Sequence, residues 1–234
     1  MAKHGKRYLA ALKLVDSRRA YKLGEAVELL KKLPKTKFDE TVELDFKLGV
    51  DAKQSDQMVR GTCPLPHGSG KKVRVVVFAK GAAAQAAKEA GADQVGFEDL
   101  LKQVQGGWTD FDVAIATSEA MQEVRKLGKQ LGPKGLMPNP KTGTVTDDVA
   151  KAIQEVKAGR VEFKMDKAGN VHVAFGKISF ESKAIEENGR AIITALMHAK
   201  PASSKGKFVV SCTLSSTMSP GLNIDTHEFA PVTA

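Results

Sequence analysis

The sequence predicts an α/β fold of two domains. Residues 1–67 and 160–234 would form a discontinuous α+β domain I, and residues 68–159 an α/β domain II inserted into it. Three observations lead there. Val42, Leu44, Phe46, Leu48 and Val50 alternate with Glu43, Asp45, Lys47 and Gly49, the period of a half-buried strand. That alternation returns after Gly159, at Val161, Phe163 and Met165 and again at Val171, Val173 and Phe175. Between the two, the apolar stretches Val73–Ala79 and Phe111–Ala116 alternate with helical patterns, as in a largely parallel sheet with helical crossovers. Pro64, Pro66, Gly68 and Gly70 punctuate one junction and Lys157–Arg160 the other. Paired connections of this sort can hinge.

The elements follow in order. Tyr8, Leu9, Leu12 and Val15 give helical spacing across residues 3–20. A second helix fits Glu25–Leu33 and is stopped by Pro34. In the insert, Ala82–Ala90 is helical, Gln94–Gly96 a short strand, Phe97–Val104 a helix and Ser118–Leu127 another. Thr146–Lys157 is amphipathic, with Thr146 the expected N-cap and Gly159 the stop. Val161–Met165 and Val171–Phe175 flank the turn Lys167-Ala168-Gly169-Asn170 and read as a hairpin. Glu181–His198 is a helix ended before Pro201, and Phe208–Leu214 is a strand.

The 234 residues are 42% hydrophobic, enough for a substantial core, and carry a net charge of +9. The excess is local: residues 1–37 hold eleven Lys/Arg against three acids, whereas residues 38–67 hold three against six. An acidic partner is expected at the basic end. Cys63 and Cys212 are too few for a disulfide framework and read as buried small hydrophobes in a reducing compartment. His4, His67, His172, His198 and His227 lack metal-ligand spacing, so no metal is expected. No apolar run approaches the ~18–20 residues of a membrane span. Lys13 and Asp16 interrupt the first apolar stretch, which argues against a signal peptide.

Enzymatic motifs fail on spacing. Gly68-Ser69-Gly70-Lys71-Lys72 resembles a phosphate-binding loop, but Leu65 stands where its first glycine belongs and Lys72 where Ser or Thr must hold magnesium. A hinge or a phosphate-contacting loop is the better reading. No nucleophile–base pair is legible around Ser211, Ser215 or Ser216. Asp39, Glu40, Glu43 and Asp45 read as surface charges.

Three segments point to nucleic acid. Lys126–Lys141 packs three glycines, three prolines and four lysines into sixteen residues with no acid. Such a stretch is no single regular element; it reads as a shaped basic loop suited to a phosphate backbone. Ser215-Ser216-Thr217-Met218-Ser219-Pro220-Gly221 ends a strand with hydroxyls and a thioether. Either these are turn-forming residues, or they contact ribose hydroxyls and a base face. Phe38 follows Lys35-Thr36-Lys37 just before a strand, where it would either stack on RNA or enter the core.

Together these segments resemble the large-subunit ribosomal protein L-one family. The residues that carry the resemblance are Met1–Tyr8, Lys37–Glu43, Ser55-Asp56-Gln57, Val59-Arg60-Gly61, Leu65–Gly68, Leu131–Lys141, Lys157–Gly159 and Ser216–Met218. The resemblance covers nearly the whole chain, in order. It implies that domain II is Rossmann-like, with three layers, and that the protein is not an enzyme and needs no cofactor. It implies a cytoplasmic, ribosome-bound protein, a monomer when free, with no membrane partner. Its partners would be the mobile stalk of the large-subunit rRNA, the exit-site tRNA, whose release it would assist, and its own operon mRNA, which it would repress. Carried over by position, the RNA-binding residues would be Lys37, Phe38, Thr41, Ser216, Thr217, Met218 and Ser219 in domain I, and Lys134 and Lys141 in domain II. Two departures stand out: Ser219 replaces the family's glycine, and Cys63-Pro64 should end the preceding strand early.

Overall fold

A computed structural model describes residues 4–52, 54–204 and 206–229. Helix α1 spans Lys6–Leu12, much shorter than the helical spacing across residues 3–20 suggests. Asp16 explains the early stop. Its carboxylate accepts from the Arg18 amide at 2.9 Å, and its own amide donates to Tyr21 Oη at 3.0 Å, so local side-chain bonds replace helical ones. Helix α2 (Leu23–Lys32) buries Leu23, Ala26, Val27 and Leu30, a stripe at helical spacing, and ends before Pro34. Strand β1 (Thr41–Leu48) turns Val42, Leu44, Phe46 and Leu48 inward. Strand β2 (Arg60–Cys63) stops at Cys63, next to Pro64.

Residues 71–160 form a compact unit of their own. Strand β3 (Val75–Phe78) is buried at all four positions, as a strand covered on both faces must be. After helix α3 (Gly81–Glu89) the chain enters β4 (Gln94–Gly96), helix α4 (Glu98–Gln105) and β5 (Val113–Ala116). The three strands are parallel in the order β4-β3-β5. The stretch expected as one helix over Ser118–Leu127 is divided into α5 (Met121–Val124), a 3₁₀ turn at Arg125–Leu127 and α6 (Gly128–Leu131). Gly128 has low helix propensity, and Pro133 cannot donate to a further turn. Helix α7 (Val149–Lys157) is capped by Asp148, which accepts from the Lys151 amide at 3.3 Å; the expected cap, Thr146, instead donates its amide to the Ala116 carbonyl as an extension of the sheet. Val76 and Phe78 pack with Leu100, Val104 and Leu127 on one face of the sheet; Val75 and Val77 pack with Ala87, Val149 and Ile153 on the other.

From Val161 the chain rejoins the elements before Gly70 in the other unit. Strand β6 (Val161–Lys164) does not form the expected hairpin with β7 (Asn170–Lys177). It pairs antiparallel with β2, while β7 pairs with β1; a Met165–Val171 bridge and the Asp166 amide on the Asn170 carbonyl at 2.8 Å join the turn between β6 and β7 without a ladder. A Cβ on Gly61 would meet the Phe163 ring at 2.7 Å, so the glycine makes room for this non-local pairing. Helix α8 (Ser182–His198) leads to β8 (Val209–Ser216) and to β9 (Leu222–Ile224), a strand too short to show a period. The sheet order is β7-β1-β8-β9, antiparallel throughout. Leu23, Val27 and Leu30 of α2 and Ile185, Ile192 and Leu196 of α8 share one core with the inner face of this sheet. Cys63 and Cys212 lie in that core, and burial pushes both thiols up from their ordinary pKa.

Candidate nucleic-acid interface

The predicted residues of the first unit gather where β1 begins and β8 ends. Thr217 extends the ladder beyond β8: its amide donates to the Thr41 carbonyl at 3.1 Å, and its hydroxyl accepts from the Thr41 amide at 3.1 Å. The Thr41 hydroxyl accepts from Lys177 Nζ at 2.8 Å. A turn follows, closed by the Ser219 amide on the Ser216 carbonyl at 3.1 Å.

Ser219 fits this turn without strain. Among the described residues no residue other than glycine has a positive φ, so the glycine expected here is not required by the backbone angles. Its hydroxyl accepts from the Ser216 amide at 2.8 Å and donates to the Pro220 carbonyl at 3.0 Å, which stitches the turn from within.

Glu40 holds the turn from below. It is 4% exposed, not the surface charge its composition suggests. Its carboxylate accepts from the Ser216 hydroxyl, from the Met218 amide at 3.2 Å and from Arg7 Nη1 at 3.4 Å. Burial alone would raise its pKa. The hydrogen bonds from Ser216, Thr36 and the Met218 amide, with the Arg7 charge, outweigh burial and leave it below the ordinary carboxyl value. Arg7 also reaches the Met218 carbonyl at 3.2 Å and the Pro34 carbonyl at 3.4 Å. Neither Arg7 nor Glu40 was among the predicted site residues. The signal for Glu40 is present in the alternation: it shares the parity of Val42, Leu44 and Phe46, and so points to the same inner face.

The predicted residues thus separate. Ser216 is 7% exposed with its hydroxyl on Glu40, so it positions the turn and offers nothing outward. Phe38 and Met218 are 53% and 50% exposed, large apolar side chains facing water. The core alternative for Phe38 therefore falls. Lys37 and Thr217 are exposed as well, and Thr41 is half-buried. Arg7, Phe38, Glu40 and Met218 all line one cleft of this unit.

The second unit presents its basic segment differently from a plain loop. Leu127 and Leu131 are buried, and Leu136 and Met137 pack on the same core. Gly135 takes a φ of 72°, which suits its lack of a side chain. The Thr144 hydroxyl accepts from the Asn139 amide at 2.8 Å, and the Thr142 hydroxyl donates to the Asn139 carbonyl at 3.1 Å, so the segment is pinned rather than loose. Lys134 is exposed, with Nζ 2.5 Å from Thr109 Oγ1. The side chain of Lys141 lies outside the described residues.

Residues 30–220 match the ribosomal protein L1p/L10e family. The chain belongs to that family. The matched span contains Lys37, Phe38, Thr41, the whole Lys126–Lys141 segment and the Ser216–Ser219 turn. Membership makes the chain a ribosomal protein of the large subunit, a structural rather than enzymatic component, with rRNA as its partner. Among the described residues, no group of three or more His, Cys, Asp or Glu side chains could hold a metal ion, and no helix is long and apolar enough to cross a membrane.

Proposed function

We propose that this L1-family protein binds the mobile stalk of the large-subunit rRNA mainly through Lys37, Phe38, Thr41, Thr217 and Met218. The loop carrying Lys134 and Lys141 would supply a second contact from the inserted unit. The observation that carries this reading is the pair Phe38 and Met218, both half exposed, beside a turn whose backbone is already hydrogen-bonded by Glu40, Arg7 and Ser219. Half-exposed Phe and Met side chains cost solvation in the free protein and gain contact against a base or ribose face. A pre-ordered turn binds without a further ordering cost. Lys35 and Lys37, both exposed next to Phe38, add the salt-dependent attraction to phosphate. Recognition would be of folded RNA shape, with Thr217 and backbone groups meeting ribose hydroxyls.

In the same reading, residues 71–160 are an inserted Rossmann-like domain, supported by the β4-β3-β5 parallel order with core clusters on both faces of the sheet. The protein would also assist release of deacylated tRNA from the exit site and repress its own operon mRNA. Repression would follow from the mRNA presenting the same shape as the rRNA to one rigid surface of the protein. A footprint of the full-length protein on large-subunit rRNA tests the main claim. Protection of the stalk that is lost in Phe38→Ala and Met218→Ala is expected; protection unchanged in both variants would refute the site.

A further inference from the structure

The cleft beside the turn has a chemistry that neither stacking nor phosphate attraction uses. Ala11, Leu30 and Leu33 give it an apolar lining, and Phe38 and Met218 line it from exposed positions. Its cavity volume is about 70 Å³, with an open mouth that leaves part of an occupant in water. Arg7 stands in its wall, 31% exposed.

A guanidinium has five N–H donors. Arg7 Nη1 gives two, to the Pro34 carbonyl and to Glu40, and Nη2 gives one to the Met218 carbonyl. Nε–H and one hydrogen of Nη2 remain, on adjacent nitrogens, with no partner among the described residues. Two adjacent donors match paired acceptors. Glu40 does not compete for a ligand, because Ser216, Met218 and Arg7 already cover its carboxylate.

Guanine presents two acceptors side by side, O6 and N7, on one edge of a two-ring apolar face; unpaired cytosine presents N3 beside O2, but its single ring would cover less of the apolar lining. Adenine offers N7 beside a donor and would place hydrogen against hydrogen. A phosphate would satisfy the donors, but the apolar lining would strip its water without replacing it. We propose that this cleft takes one unpaired guanine of the bound RNA, its O6/N7 edge on Arg7 and its face against the apolar lining beside Phe38 and Met218. The inference rests on the RNA-binding reading above and adds a base-specific contact to a surface otherwise read as shape-selective.

The test uses the full-length protein and an rRNA stalk fragment in which each unpaired guanosine is replaced in turn by 7-deazaguanosine, which lacks the N7 acceptor. At one position the wild type should lose about five-fold in affinity, the factor for one hydrogen bond. Arg7→Lys keeps the charge but loses the paired donors, so it should bind the unmodified fragment about five-fold more weakly and ignore the modification at that position. If Arg7 merely shaped the turn, the lysine variant would weaken both RNAs alike and stay sensitive to the modification, which overturns the proposal. Insensitivity of the wild type at every unpaired guanosine overturns it too. So does a salt slope reduced by about one in Arg7→Ala without any modified position mattering, since that marks a phosphate contact. Failure of the wild type to bind the unmodified fragment would instead remove the RNA-binding reading itself.

Discussion

Thr41 and Thr217 close a two-bond ring at the end of the central sheet: each backbone amide is bonded to the other residue, at 3.1 Å in both directions. One of those bonds uses the Thr217 hydroxyl as acceptor. The side chain proposed to meet RNA is therefore also part of the frame that presents it.

Thr217→Val separates the two roles. The Thr41 amide lies at an exposed site, so water can replace the lost acceptor, and unfolding in denaturant should show a loss below about 1 kcal/mol. RNA affinity should fall by more, about 1–3 kcal/mol, if the hydroxyl also serves a ribose in a site closed to water. Denaturant melts beside RNA titrations compare the two. A stability loss equal to the binding loss would assign Thr217 to the frame alone.

Glu40 sets an acid limit on the site. Its folded pKa lies below the ordinary carboxyl value, so the folded state binds fewer protons than the unfolded state near that value. The stabilisation is full above the unfolded pKa and is lost as pH falls through the folded one. Wild-type stability should therefore decline from about pH 5 downward, with part of that decline absent in Glu40→Gln. At neutral pH the same variant should be less stable by about 1–3 kcal/mol, because the buried Ser216 hydroxyl and the partly buried Met218 amide and Arg7 guanidinium lose a charged acceptor. Melts from pH 3 to 7 check both; parallel pH curves for wild type and variant would refute the linkage.

Much of this site is legible from local pattern, and the part that is not has a physical reason. Alternation from Val42 to Leu48 states its own inner face, and extending it two residues upstream places Glu40 inside. Lys37-Phe38 and Thr217-Met218 show their residue types, but only structure distinguishes an exposed Phe38 from a core one. Arg7 is invisible because its partner Met218 lies 211 residues away. The same holds for β6: its alternation fits a hairpin with β7 as well as it fits the observed partner β2, since period two does not specify which strand lies alongside. In the insert, buried β3 and β5 declare themselves by composition, whereas the helix expected over Ser118–Leu127 gives way to a 3₁₀ turn at Arg125–Leu127, where burial of Leu127 and Leu131 on one core competes with a regular helix.

Asn188 is a second buried group with a definite expected cost. It is fully buried on α8, accepts from the His67 amide at 3.0 Å, and donates to the carbonyls of Gly68 and Phe175 at 2.9 Å each. Asn188→Ala leaves those three backbone groups without that partner and should cost about 2–4 kcal/mol in a denaturant melt. Asn188→Asp keeps the acceptor but turns both donors into repulsion against carbonyl oxygens, and should cost at least as much. A loss under about 1 kcal/mol in both would show that water takes over the bonds.

Lys134 tests the second contact. Lys134→Ala should weaken rRNA binding modestly and reduce the slope of log K against log salt by about 0.7–0.9, the value for one phosphate. Titration over a salt series reads this directly. Equal slopes for variant and wild type would take Lys134 out of the RNA contact.

The core of the first unit draws no residue from 71–160, and the inserted unit has its own two clusters, so each is built to pack by itself. Joining residues 1–70 to 161–234 through a short linker should therefore give a folded protein that keeps most of its affinity for stalk RNA, because Phe38, Thr41, Thr217 and Met218 all remain. If rRNA and leader mRNA present one shape to that surface, they must compete for it, and a complex holding both should not form. The rRNA would hold an advantage from the contact at Lys134 and Lys141, which a short mRNA hairpin would not reach. Free protein would then occupy mRNA only once rRNA sites are filled, giving feedback from mass action without a conformational switch. Removing residues 71–160 should narrow the affinity gap between the two RNAs, chiefly by weakening the rRNA complex. Competition titrations with the full-length and shortened proteins measure that gap. A ternary complex containing both RNAs, or a gap that the deletion leaves unchanged, would rule out this mechanism.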